Sequence, residues 1–161
     1  MDTLRSALRT LLTAVLITAV SGATPIDTAW DVLYAVENND GYAFLDLLSE
    51  TVRNSLDTAF AQVKQLAEDQ PEMAQALLDR TGTGLTAWDV APMDLETFVS
   101  VMLENAMLPS LDQVQTEEVS MNGRNAQVEL TWHGGYSLTF MMVWENSSWR
   151  ITGSSIIDRL F

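Results

Sequence analysis

The chain has 161 residues, no cysteine and a formal net charge of −14. That length suits one domain, and the charge excludes a nucleic-acid or anionic-membrane partner, because phosphate surfaces are bound by Lys and Arg. Without cysteine there is no disulfide, thiol nucleophile, thiolate metal site or acylated cysteine anchor.

In chain order, residues 1–23 read as a secretory signal peptide. Arg5 and Arg9 give a positive start, residues 11–20 (LLTAVLITAV) are apolar and uncharged, and Ser21-Gly22-Ala23 supplies small residues for a peptidase. The apolar run is well short of the ~20 residues a spanning helix needs, so no membrane contact is expected after cleavage. The expected destination is the periplasm or the cell exterior. Thr24-Pro25 then suits the cap and first turn of a helix carrying Trp30, Leu33 and Tyr34 on one face. Asn38-Asn39-Asp40-Gly41 stops it. A short helix follows over residues 42–48, then a longer one over 50–68 with Val52, Leu56, Phe60, Val63 and Leu66 at helical spacing. Pro71 opens another, closed by Thr81-Gly82-Thr83-Gly84. Trp88 falls in a connecting segment. Asp94 caps a helix to Ala106 whose stripe is Leu95, Phe98, Val99, Met102 and Leu103.

From residue 117 to 156 the period changes to two. Ala126, Val128, Leu130 and Trp132 alternate with Gln127, Glu129 and Thr131; Tyr136, Leu138, Phe140, Met142 and Trp144 repeat the pattern. Asn122-Gly123 suits a tight hairpin, while His133-Gly134-Gly135 and Glu145-Asn146-Ser147-Ser148 read as longer polar turns. The fold class is therefore α+β, a curved four-strand antiparallel C-terminal meander packed against N-terminal helices, with residues 24–161 as one domain.

This order of elements resembles the nuclear-transport-factor-2-like superfamily, in its secreted bacterial branch. The first helix ends in Ala35-Val36-Glu37-Asn38-Asn39-Asp40, a short helix leads to Phe44-Leu45-Asp46-Leu47-Leu48-Ser49, and the meander closes on Trp149-Arg150-Ile151 after a polar turn. The turn before Trp149 lacks the usual Gly, and the helical middle is longer than in the compact enzymes of the group. The resemblance implies a cystatin-like cone with a hollow between the sheet and the helices. It leaves activity open, since isomerases, dehydratases and non-catalytic binders share that fold.

The chemistry is sparse. His133 is the single histidine, and it falls at a turn with no acidic partner on the expected inner face; no catalytic residue, metal site or cofactor motif is read. The aromatic and apolar residues Trp30, Tyr34, Phe98, Met102, Leu130, Trp132, Phe140 and Trp144 are the candidates to line a pocket, with Trp88 and Tyr136 near the same faces. A packed core would use the same residues. The leading expectation is a non-catalytic binding or accessory module for a small apolar ligand or a protein partner. One alternative is a small isomerase, dehydratase or hydrolase. The other is a protein–protein module using the outer sheet face, where Ser137, Thr139, Met141 and Val143 would also serve a homodimer through the sheet. Mass spectrometry of the protein from its native host should find a chain beginning at Thr24; an intact Met1 chain held in the membrane would overturn the leader.

Overall fold

The computed structural model describes residues 23–157. The leader expected over residues 1–23 lies, apart from Ala23, outside the described residues. Among the described residues six α-helices precede a four-stranded sheet. Helix α1, Pro25–Glu37, starts on a reciprocal cap. The Thr24 side chain accepts the Asp27 N–H, and the Asp27 carboxylate accepts the Thr24 N–H at 2.7 Å. Asn39 takes a positive φ of 54° and turns the chain into α2, Gly41–Asp46.

Gly41 was expected to stop α1, but it opens α2. Its N–H donates to Ser100 Oγ at 3.0 Å, and a β-carbon there would collide with the Glu96 carbonyl oxygen and lie 2.7 Å from Ser100 Oγ. Only a glycine lets α2 come this close to the later helix. Helix α2 also ends two residues before its expected limit, because Leu47 and Ser49 bond to the sheet instead. Helix α3, Glu50–Asp69, and α4, Pro71–Leu78, match the apolar spacing. A turn of 3₁₀ helix, Asp79–Thr81, ends at Gly82 with a left-handed φ of 69°. The Trp88 segment, expected to be a connection, is a short helix α5, Ala87–Val90, with its own capping box from Thr86 and Asp89. Helix α6, Leu95–Glu104, is capped by Asp94 and stops at Asn105, short of the expected Ala106.

The sheet is an open antiparallel meander in the order β1-β2-β3-β4, with β1 Val114–Asn122, β2 Asn125–Trp132, β3 Ser137–Glu145 and β4 Ser148–Ser154. Two turns differ from their expected form. Asn122 pairs with Asn125, so the hairpin loop is Gly123-Arg124, with Gly123 at φ 62°. Positive φ at the first central position is the glycine-first hairpin turn, which matches the strands' twist. The Arg124 guanidinium then donates to the Trp144 carbonyl at 2.8 and 3.1 Å and locks this turn to β3. Between β3 and β4, Glu145 pairs with Ser148, leaving a two-residue loop of Asn146 and Ser147, both left-handed (φ 49° and 63°). Ser147 thus takes a conformation that usually goes to glycine.

The alternation of β2 and β3 sets the core. Val128 faces Phe140, Leu130 faces Leu138 and Ala126 faces Met142 across the strands, all buried on one face. One cluster joins them to Leu33 and Val36 of α1, Phe44 and Leu45 of α2, Phe60 of α3 and Phe98, Val99 and Met102 of α6. The far edge of the sheet is closed. Ser49 N–H donates to the Ile151 carbonyl at 2.8 Å and Ile151 N–H to the Leu47 carbonyl at 2.9 Å. Glu145 Oε1 accepts the Glu50 N–H at 2.9 Å, an acidic group at the positive end of α3.

This register fixes an asymmetry across β3. Phe140 has no accessible area and Thr139 lies on the opposite face. Phe140→Ala should cost about 3–5 kcal/mol, and Thr139→Ala should be close to neutral. Denaturant unfolding of the two variants measures both, and the reverse order of severity would invert the sheet.

Candidate functional site

Three places in the fold could carry function: the interior between sheet and helices, a cleft beside α1 and α2, and the β1 margin. The interior holds most of the candidate pocket residues. Phe98, Met102, Leu130, Trp132 and Phe140 are buried in the core cluster, and Trp30 and Trp144 pack against it half-buried. A hollow wide enough for a water molecule would leave accessible area on its walls. Leu130, Phe140, Leu138 and Val128 have none. The aromatic side chains pack on one another: Phe60 on Phe98 at 4.9 Å between ring centres, Trp132 on Tyr136 at 5.5 Å, Trp144 on Trp149 at 5.4 Å. Their polar tips are engaged too. Trp132 Nε1 donates to the Ser110 carbonyl at 3.0 Å, and Trp30 Nε1 donates to Glu117 Oε1 at 2.8 Å.

Tyr34 leaves this group. It is 51% exposed and lines an open cleft of about 460 Å³ with Asp31, Asn38, Asp40, Tyr42 and Asp46. Structural contacts already use several of these polar groups. Asp40 accepts the Ala43 N–H at the start of α2, Asn38 donates to the Tyr34 carbonyl, and Asp46 lies 3.7 Å from Arg150. Burial, and then the charge of Asp27, push the Asp31 carboxyl above its ordinary range. Trp88, expected near the meeting faces, stands 82% exposed on α5.

His133 is exposed at the β2–β3 turn, and its Nδ1 lies 2.7 Å from Gln115 Nε2. The partner is an amide and not the carboxylate that an acid–base pair would use. Among the described residues no three His, Asp or Glu side chains converge as a metal site needs, and no helix is long and apolar enough to cross a membrane.

The β1 margin went unread in the sequence. Glu117, Val119 and Met121 pair with Leu130, Val128 and Ala126, so they lie on the core face. Yet Val119 is 39% and Met121 59% exposed, further along β1 than Glu117, which accepts the Trp30 indole N–H from α1. The weak alternation Glu117, Val119, Met121 was the available signal. On the outer face Met141 is 47% exposed, but its cross-strand neighbours are Gln127 and Gly153, so the apolar strip there is narrow. Compared with protein-family models, curated proteins and solved structures, the chain matches none.

The helix-end carboxylates and Asp31 should titrate with opposite signs. Hydrogen bonds from the Thr97 side chain and backbone N–H hold Asp94 below its ordinary value. Its contribution is complete above the unfolded pKa of about 3.9 and is lost as pH falls through the lower folded value. Asp94→Asn keeps a cap without a charge, so it should trail the parent at neutral pH and converge with it in acid. Asp31 is raised in the fold, so its carboxylate costs stability above the folded pKa, and that cost vanishes below about pH 3.9. Asp31→Asn should therefore melt higher than the parent at neutral pH and lose the gain in acid. Thermal melts from pH 2 to 7 check both signs.

Proposed function

We propose that this protein is a non-catalytic binding module for another polypeptide, acting outside the cytoplasm once its leader is removed, with the uncovered β1 margin as the contact surface. The observation that carries the reading is the exposure of Val119 and Met121 on the face where the neighbouring apolar side chains of β2, from Ala126 to Trp132, are buried. Covering each would contribute on the order of 1 kcal/mol, and a partner can supply that cover. The tight interior supports a protein partner over a small apolar ligand, since the residues that would line a hollow are in contact with one another. His133 joined to an amide gives no support to the isomerase, dehydratase or hydrolase alternatives.

We further infer that the α+β arrangement is a cystatin-like cone of the nuclear-transport-factor-2-like kind. The element order, the Phe44–Ser49 segment meeting β4, and the closing Trp149-Arg150-Ile151 strand support that reading. The fold would serve here as a rigid platform for binding.

A photo-crosslinking residue placed at Met121 in the native host tests the function. A discrete polypeptide adduct is expected from that position and not from Glu72, which is exposed on α4. Equal adduct patterns at the two positions, or none at either, would overturn the reading. So would stoichiometric uptake of an apolar fluorophore that Phe140→Trp quenches.

A further inference from the structure

The two edges of the sheet are treated differently. The β4 edge is occupied by the Leu47–Ser49 backbone. Among the described residues, no backbone hydrogen bond links residues 115–122 to any segment other than β2. The strand is nine residues long, contains no Pro and no Lys, and its irregularity is confined to its first residues, between Val114 and Thr116. Proteins usually blunt an open edge with Pro, Lys, a bulge within the strand or other charged side chains; of these β1 has only the charges of Glu117 and Glu118. The two-residue loop fixes which groups are free. It is closed by the hydrogen-bonded pair Asn122–Asn125, and such pairs alternate along an antiparallel ladder. Ser120 and Glu118 therefore turn their N–H and C=O groups to β2, and Met121, Val119 and Glu117 turn theirs outward.

Building on the polypeptide-binding reading above, we propose that this edge takes an extended, basic segment of a partner protein as a fifth, antiparallel strand. The backbone row supplies the pairing, and the side chains state the chemistry of the occupant. On the core face the added strand meets Met121 and Val119, which suit β-branched apolar residues, and then Glu117. On the outer face it meets Ser120 and Glu118. Opposite-charge pairs across a ladder stabilise it and like charges oppose it, so Lys or Arg belongs opposite Glu117 and Glu118. A second copy of this chain fits less well. Antiparallel self-pairing centred on Glu118 sets it against its own equivalent. Centring on Val119 leaves both acidic residues without a basic neighbour, and two chains of net charge −14 repel.

The full chain can be titrated with the capped peptide Thr-Val-Thr-Val-Lys-Lys-Thr, which places its valines opposite Met121 and Val119 and its lysines opposite Glu118 and Glu117. Binding is expected, with amide exchange slowed at Glu117, Val119 and Met121 and unchanged at Glu118 and Ser120. Methylating the backbone nitrogens of the two valines should abolish binding without altering the protein, whereas methylating the threonine between them should spare it. Glu118→Lys should weaken binding about fivefold. Binding that ignores the valine methylation, or that slows no exchange in β1, would overturn strand addition and reduce the contact to charge attraction. No binding at all, or a dimer of the free chain that protects these same amides, would also overturn the proposal. A Met121 adduct obtained alongside any of these failures would leave the binding-module reading standing while removing the basic strand as its occupant.

Discussion

The buried face of β2 and β3 is the surface on which the helices depend. In a strand, successive side chains point to opposite faces, so a slip of one residue would bury Glu129 and expose Leu130. The cross-strand pairs Val128–Phe140, Leu130–Leu138 and Ala126–Met142 present a continuous apolar floor. Helices α1, α2 and α6 have their apolar stripes against it in one cluster. None of these helices could keep so apolar a face in water alone, and isolated helices of this length are marginal.

From that floor outward, polar groups fix the approach of each element. Ser100 receives the Gly41 N–H and so sets the distance between α2 and α6. The Leu47–Ser49 backbone joins β4 and converts a helix end into an edge guard. Arg124 holds the first hairpin to the end of β3. The helix starts use Thr24, Asp40, Ser49, Thr86 and Asp94 as side-chain caps, each satisfying an N–H that has no partner within the helix. Lys64 extends this pattern on α3, with its ammonium 2.8 Å from the Met93 carbonyl and over the Phe60 ring.

The same economy leaves one part of the sheet uncovered. Trp30 reaches Glu117 from α1, and past that contact Val119 and Met121 of β1 stay exposed. A strand exposed on both faces and along one edge has little to stabilise it except its pairing with β2. Its acidic residues are consistent with a guard against self-association, and also with selection of a basic partner; both follow from the same charges. Trp30, Phe98, Trp132, Phe140 and Trp144, by contrast, are absorbed into packing, with the Trp132 and Trp30 indole N–H groups directed at the Ser110 carbonyl and the Glu117 carboxylate.

The sequence by itself determined the fold class, the apolar register of β2 and β3 and the apolar faces of the longer helices, because these are periodic and each is set by local geometry. It also determined the caps at Thr24 and Asp94, where the signal spans a few residues. The tertiary structure decided the rest. Whether Phe140 and Leu130 line a hollow or fill a core depends on how closely α6 and α1 approach, and the same residues serve either outcome. Gly41 reads as a helix stop until α6 is placed against it. Asn122 looks like the turn centre until pairing with Asn125 moves the turn by one residue. Val119 and Met121 carry too weak an alternation to be assigned a face from the sequence, and only the tertiary structure shows that they lie on the core face and stay exposed. Burial depends on what lies across a gap from distant parts of the chain, and no local pattern carries that information.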